Sequence, residues 1–403
     1  MAKKQRWMKF RHRVVRNIAF ALLYPYSRIK YGLTVEALQD KSKRQYLVLL
    51  NHQTAFDQFF VGMTIKGPIY YLASEDLFSN GFVSTLIRWL VAPIPIKKQS
   101  TDVNAVKNCL RVAKEGGTIA IAPEGNRTYS GKTEYINPAI APLAKKLGLP
   151  IAFLRIEGGY GVQPRWSDVV RKGKMRVFVS RIMEPEEYKA LSGEELHDII
   201  CRELFVDEAA LPGAFFHQKN AEYLERAMYV CPFCGPAIQE SHDDVIACTA
   251  CGRQVRYLPG KTLEGIGFTF PFRNIGQWYD HQCNVINQLD TEDYVTAPLF
   301  RDTLNVFRVI VYKKKEPLRT GATVALYGDR VVFDEGTDRE WALPFRELTA
   351  VAVLGRNKLN LYHSSGLYQL KGDKRFNALK YVNLYYRNKN QTRGDNDAKF
   401  LGL

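Results

Sequence analysis

No apolar run in this sequence suits a bilayer-spanning helix. The N-terminal stretch from Ile18 to Tyr26 falls well short of the roughly 20 residues such a helix needs. No small-residue cleavage site follows it, only Tyr24-Pro25-Tyr26-Ser27-Arg28, which argues against a secretory leader. With Ala at residue 2, N-myristoylation is not expected. The chain lacks a Gly-x-Ser-x-Gly elbow, so a serine nucleophile of the hydrolase type is not expected. Internal repeats and long low-complexity tracts are also missing, which excludes solenoid and array architectures. Of the seven cysteines, Cys109, Cys201 and Cys283 are scattered without a pairing pattern, which points to a reducing compartment rather than a disulfide scaffold.

The most uneven absence is of negative charge. The formal net charge is +16, yet residues 1–35 contain no Asp or Glu at all, while Lys3, Lys4, Arg6, Lys9, Arg11, Arg13, Arg16, Arg28 and Lys30 are basic. Trp7, Phe10, Val14, Ile18 and Ala21 recur at helical spacing beside Arg6, Lys9, Arg13 and Arg16. The pattern predicts a basic amphipathic helix suited to the interface of an anionic membrane. A chain of 403 residues with 46% hydrophobic content exceeds one ordinary core, so more than one domain is expected.

Two apolar runs end in polar constellations. Tyr46-Leu47-Val48-Leu49-Leu50 reads as a buried strand and leads into Asn51-His52-Gln53-Thr54-Ala55-Phe56-Asp57. An Asp five residues after a His can curl back within one turn and bond one imidazole nitrogen. The other nitrogen is then free to accept a proton from a hydroxyl. His-x4-Asp is common by chance, and a capping Asn51 beside an ordinary His is the bland alternative. Further on, Gly117-Thr118-Ile119-Ala120-Ile121 runs into Ala122-Pro123-Glu124-Gly125-Asn126-Arg127-Thr128. Two such strand ends fit one open α/β sheet, whose sites gather outside the carboxyl ends of its strands. Helices expected over 102–114, 139–147 and 193–205, with a strand over 174–179, alternate with these strands and predict a mostly parallel sheet.

Taken together, these segments resemble the glycerolipid acyltransferases, the lysophosphatidic acid acyltransferase family. Four elements stand in that family's order: Asn51 to Asp57, Ile94-Pro95-Ile96-Lys97-Lys98, Ala122 to Arg127, and Leu149-Pro150-Ile151-Ala152-Phe153-Leu154. The resemblance covers the first half of the chain. It implies His52 as general base oriented by Asp57, with Glu124, Gly125, Arg127 and Lys98 binding substrate. The implied reaction moves a fatty acyl group from a thioester, acyl-CoA or acyl carrier protein, to lysophosphatidic acid, giving phosphatidic acid. Arg127 and Lys98 supply positive charge for the acceptor phosphate. Glu124 is expected to position Arg127 or an acceptor hydroxyl rather than to act as base. This chain departs from the pattern at Asn126, where the family has Thr, at Lys98, where it has Arg, and at Asn137-Pro138, where it often has Lys-Gly. Lys is a point charge where Arg is a planar fork, so glycerol-3-phosphate or another lysolipid stays open as acceptor.

Cys231-Pro232-Phe233-Cys234-Gly235 and Cys248-Thr249-Ala250-Cys251-Gly252 form two Cys-x2-Cys-Gly knuckles flanking a polar hairpin. Cys231, Cys234, Cys248 and Cys251 match a closed tetrahedral structural zinc ribbon, and His242 between them is not needed as a ligand. Beyond about Phe268 come short strand-like runs over 323–327, 330–334, 340–345, 350–354, 358–362 and 367–371, then a helix over 375–387. These resemble a pleckstrin-homology or GRAM-like fold. Lys313-Lys314-Lys315 reads as a solvated loop or a phosphate contact.

The expected organisation is a membrane-interface helix over 1–30, an α/β acyltransferase domain over 31–212, a zinc ribbon with linkers over 213–265, a β-rich domain over 266–392 and a polar tail over 393–403. The expected location is the cytoplasmic side of a membrane, with membrane lipids as partners. A basic zinc-ribbon protein acting on nucleic acid or as a scaffold is the competing class. Nucleic-acid binding is disfavoured because the positive charge gathers on the N-terminal helix, whereas the ribbon carries Glu240, Asp243 and Asp244, and an inactive scaffold is disfavoured by the joint presence of His52, Asp57, Glu124 and Arg127. Oligomeric state is not readable.

Overall fold

The computed structural model describes residues 6–40, 42, 44–78, 81–96, 102–310 and 315–395. The chain forms two compact units, one of residues 1–164 and 170–215, the other of residues 165–169 and 216–403.

In the first unit a long helix α1 (Phe10–Tyr31) leads to strands β1 (Leu33–Val35) and β2 (Leu47–Leu50). Helix α2 (Asp57–Thr64), β3 (Ile69–Ser74), α3 (Phe82–Val91), β4 (Ile94–Ile96), α4 (Val103–Lys114) and β5 (Thr118–Ile121) follow. The unit closes with α5 (Ile140–Leu147), β6 (Ile151–Glu157), the short α6 (Gly159–Val162), β7 (Met175–Met183), the short α7 (Pro185–Tyr188) and α8 (Gly193–Leu204). The strands make one seven-stranded sheet in the order β1-β7-β6-β2-β5-β3-β4. All neighbours are parallel except β6 and β7.

The central strands are continuously apolar because both faces are covered, as parallel sheets require. Leu47 and Leu49 of β2 point with Ile119, Ile151 and Phe153 into a core closed by α4, α5 and α8 through Cys109, Val112, Ala141, Ala144, Leu196 and Ile200. Val48, Leu50, Ala152 and Leu154 point the other way, against Phe60 and Val61 of α2 and Phe20, Leu23 and Tyr31 of α1. Burial of each Leu, Ile, Val or Phe among them stabilises the fold by about 1.5–3 kcal/mol, which fixes the register of β2 between β5 and β6. Helix starts are chemically marked. Asp102 accepts from the N–H groups of Asn104 and Ala105, and Ser192 and Glu195 form a reciprocal capping box on α8.

Helix α1 starts later than its apolar spacing predicts. Trp7 lies before it, and its indole N–H donates to the Ala92 carbonyl at 2.9 Å, so it packs inward rather than facing an interface. Arg16 of the expected basic stripe, and Arg11 outside it, are engaged by the ends of neighbouring helices. Arg11 donates to the Trp89 carbonyl at 2.7 Å, in the last turn of α3, and Arg16 donates to the carbonyls of Gly62 in the last turn of α2 and of Ile65 just beyond it, at 2.7 and 3.2 Å. Both ends carry unsatisfied carbonyls and partial negative charge, which a guanidinium neutralises well.

In the second unit β8 (Val230–Cys231) and β9 (Gly235–Pro236) form a small hairpin. A four-stranded antiparallel sheet of β10 (Gln239–His242), β11 (Val245–Cys248), β12 (Gln254–Tyr257) and β13 (Leu263–Gly265) follows. Helix α9 (Ile275–Gln288) supports the hairpin. Trp278 donates to the Val230 carbonyl, and the Gln282 side chain accepts from the Tyr229 N–H and donates to the Ala227 carbonyl. The rest is a curled antiparallel half-barrel. Its strands are β14 (Phe300–Val309), β15 (Glu316–Leu326), β16 (Arg330–Phe333), β17 (Trp341–Pro344), β18 (Leu348–Leu354), β19 (Lys358–His363) and β20 (Gly366–Lys371), followed by helix α10 (Leu379–Thr392). The strand order is β17-β16-β15-β14-β20-β19-β18. Lys380 and Tyr381 of α10 both hold the Asp302 carboxylate of β14, and Tyr385 donates to the Leu348 carbonyl at the start of β18.

Candidate active site

The candidate site stands at the carboxyl ends of the adjacent parallel strands β2, β5 and β6. Asn51 locks the exit of β2 onto β6. Its side-chain amide donates to the Ile156 carbonyl and accepts from the Ile156 N–H, both at 2.8 Å. This pairing mimics a backbone bridge, so His52 leaves the sheet on a fixed vector. The His52 backbone is then held from the β5 side: its N–H donates to a Glu124 carboxylate oxygen at 2.7 Å, and its carbonyl accepts from the Thr128 N–H at 3.1 Å.

Asp57, the first residue of α2, turns back onto the segment before it. One carboxylate oxygen accepts from His52 Nδ1 at 2.8 Å and from the Gln53 N–H at 2.7 Å. The other accepts from the Thr54 N–H at 2.9 Å and the Thr54 hydroxyl at 2.6 Å. The Asp57 carboxylate is 1% exposed and the His52 side chain 26% exposed. A buried carboxylate with four donors is a firm anchor, and the imidazole reaches solvent. With the Nδ1 proton on the Asp57 side, Nε2 is the nitrogen able to accept a proton.

The second loop carries Glu124, Gly125 and Arg127. Glu124 is buried, and its other oxygen accepts from the Glu134 N–H at 2.8 Å. Burial raises its carboxyl well above the ordinary glutamate range, against the opposing pull of the His52 and Glu134 amides. Glu124 thus ties its own loop to the histidine loop. Gly125 sits at φ 69°, a left-handed conformation that favours glycine, and its Cβ position faces open space. Arg127 is half-buried on the same loop. Lys98 lies outside the described residues.

Several positions went unmarked in the sequence. Thr54 supplies two of the donors on Asp57, and a Thr-x-x-Asp pattern before an apolar run is a readable helix-start signal. Gln53 accepts from the Tyr160 N–H of α6 at 3.1 Å. A Cβ on Gly159 would stand 2.7 Å from that amide oxygen and 3.0 Å from the Thr54 methyl, so a larger residue there would push the Gln53 amide aside. Thr128 and Ser130 both meet the Glu134 carboxylate, at 3.1 and 2.8 Å.

In the second unit the sulfur atoms of Cys231, Cys234, Cys248 and Cys251 lie within 4.8 Å of one another. Sγ–Sγ separations of 3.7 Å for Cys231–Cys251 and 3.5 Å for Cys234–Cys248 come close to the edge of about 3.8 Å that a tetrahedron with metal–sulfur bonds of about 2.3 Å requires. The Arg253 backbone N–H draws the Cys251 thiol down to about 6. His242 lies apart from the cluster, with Nδ1 at 3.4 Å from Arg375. Lys313 and Lys314 are outside the described residues, and Lys315 donates to Gln369 at 2.6 Å.

Residues 32–157 match the family described as Acyltransferase, a segment that contains the whole His52–Asp57 and Glu124–Arg127 constellation. The chain is 22% identical over 203 residues to the chloroplastic 1-acyl-sn-glycerol-3-phosphate acyltransferase of Arabidopsis thaliana, covering 48% of this chain and 52% of that protein. It is 22% identical over 152 residues to the 1-acyl-sn-glycerol-3-phosphate acyltransferase of Bacillus subtilis (strain 168), covering 37% of this chain and 72% of that one. The chain spans about half the length of the plant relatives it matches. Among solved structures, the 1-acyl-sn-glycerophosphate acyltransferase of Thermotoga maritima superposes with a TM-score of 0.40 at 21% identity, covering 48% of this chain and 76% of that chain. The family match and the named relatives support an acyltransferase. The cysteine cluster and the half-barrel lie outside the matched segment.

Proposed function

We propose that this protein is an O-acyltransferase that moves a fatty acyl group from acyl-CoA or acyl carrier protein to lysophosphatidic acid, giving phosphatidic acid. The observation that carries the reading is the His52–Asp57 pair at 2.8 Å, set within the segment that matches the family. His52 Nε2 takes the proton of the acceptor hydroxyl as its oxygen attacks the thioester carbonyl. The C–S bond then breaks and the thiolate leaves, to be protonated as the free thiol. Asp57 keeps the imidazole in the productive tautomer and stabilises the cation formed. Arg127, with Lys98, binds the acceptor phosphate, and Gly125 keeps the approach to the loop clear. No nucleophilic serine or cysteine takes part.

Supporting modules complete the proposal. Helix α1 seats the enzyme on the cytoplasmic face of a membrane; no helix among the described residues is long and apolar enough to cross one. Cys231, Cys234, Cys248 and Cys251 hold a structural zinc, the group their soft, converging sulfur donors suit. The order of the half-barrel strands with its closing helix supports a pleckstrin-homology or GRAM-like module. The test is a donor and acceptor panel: thiol release from acyl-CoA and acyl carrier protein with lysophosphatidic acid, glycerol-3-phosphate and other lysolipids. Turnover confined to lysophosphatidic acid is expected, and turnover with another acceptor alone would reassign the substrate.

A further inference from the structure

Helix α3 is apolar on the side it leaves uncovered. Phe82, Leu86 and Trp89 recur at i, i+4 and i+7 and are 79%, 41% and 54% exposed, and Val83 beside them is 54% exposed. A folded surface does not normally leave such a stripe to water. On α1, Phe10, Val14, Ile18, Leu22 and Tyr26 recur every fourth residue, and all are exposed. The two helices are neighbours. The Arg11 guanidinium of α1 stacks 4.9 Å over the Trp89 ring and donates to the Trp89 carbonyl, while Trp7 donates to Ala92 just beyond the end of α3. Their exposed apolar residues therefore belong to one region of the first unit.

Charge indicates what covers it. Neither helix contains an acidic residue, and Arg13, Arg28 and Lys30 are exposed on α1. An apolar surface bordered by fixed positive charge complements an anionic bilayer, where rings and aliphatic chains enter the acyl boundary and guanidinium groups meet phosphates. The same surface reaches toward the candidate site. The Tyr26 and Phe56 ring centroids lie 6.5 Å apart, and the Phe56 ring meets that of the exposed Phe59 of α2 at 5.5 Å in a tilted contact. Phe56 directly precedes Asp57.

We infer that α3 is the second half of a lipid-seating surface, with Phe82, Leu86 and Trp89 inserting into an anionic bilayer beside the basic helix α1. This rests on the membrane-associated reading above and adds an inserted element that the charge pattern of α1 does not supply. The experiment uses the full chain and phosphatidylcholine vesicles with and without phosphatidylglycerol, some with brominated acyl chains. Trp166 and Trp278 are buried, Trp7 and Trp341 are partly covered, and Trp89 is exposed, so Trp89 is the reporter. Bromine should quench the wild-type fluorescence on binding, and Trp89→Phe should remove that quenching. The double variant Phe82→Ser, Leu86→Ser should lower binding to both vesicle types by about a hundredfold. The double variant Arg13→Glu, Arg28→Glu should lower only the preference for phosphatidylglycerol, by about tenfold or more. An unquenched Trp89 in bound protein would overturn the inference. So would undiminished binding by a folded serine variant, or a wild-type dimer that the serine variant converts to monomer, since a second copy would then cover the surface. Failed acyl transfer with intact quenching would count against the catalytic reading alone.

Discussion

Replacing Asp57 by Asn tests the electrostatic core of the site with almost no change of shape. The native carboxylate is buried and accepts from His52 Nδ1, two backbone amides and the Thr54 hydroxyl, all between 2.6 and 2.9 Å. An Asn offers one oxygen and one NH2. With the NH2 toward His52 and the Gln53 amide, Nδ1 must become the acceptor, so the proton moves to Nε2 and the base is lost. With the NH2 turned the other way, it faces the Thr54 N–H. Either orientation sets a buried N–H against another donor, at a stability cost of about 1–3 kcal/mol. The loss of tautomer control is the larger kinetic effect: kcat should fall by about 10³–10⁴. Thiol release from acyl-CoA, followed with a chromogenic disulfide alongside a thermal melt, measures both. A variant within about tenfold of wild-type kcat would refute the assignment of Asp57 as the orienting group.

Four further outcomes follow from the same geometry. Asn51→Ala removes both bonds to Ile156 and should lower stability by about 2–3 kcal/mol while slowing turnover, checked by denaturant melts and kcat. Glu124 has a raised carboxyl, so its contribution to stability is full below the ordinary glutamate range and is lost as pH rises through its folded value; Glu124→Gln should flatten that part of the stability–pH curve. Arg127→Ala should raise the acceptor KM by about one to two orders of magnitude for a phosphate-bearing lysolipid and spare a phosphate-free analogue, and Lys98→Arg should be tolerated. Metal analysis should find about one zinc per chain, and Cys231→Ser or Cys251→Ser should lose it and unfold the ribbon locally, seen by hydrogen exchange.

What the sequence made legible was local. The unbroken apolar runs of β2 and β5 mark strands buried on both faces, and a carboxylate five residues after His52 lies within one turn of chain. The two Cys-x2-Cys pairs converge through knuckle geometry encoded in a few residues. What stayed hidden depends on distant partners. Asn51 is written as a capping residue, yet its bonds go to Ile156, 105 positions away. Glu124 carries no sign that its oxygens hold the backbones of His52 and Glu134. Trp7 fits a helical stripe by spacing alone, and only tertiary packing turns it inward onto Ala92. Strand β14 escaped notice because Arg301, Asp302 and Asn305 interrupt its apolar pattern, and Asp302 is held by Lys380 and Tyr381 far along the chain.

The most direct test of the central claim is the turnover of His52→Ala. The side chain is part-exposed and its main contact is with Asp57, so its removal opens no large core cavity. The account predicts a protein with wild-type melting behaviour and metal content whose acyl transfer from thioester to lysophosphatidic acid is indistinguishable from the uncatalysed rate. Near-normal transfer by a pure preparation of this variant would contradict it, and His52 would not be the base.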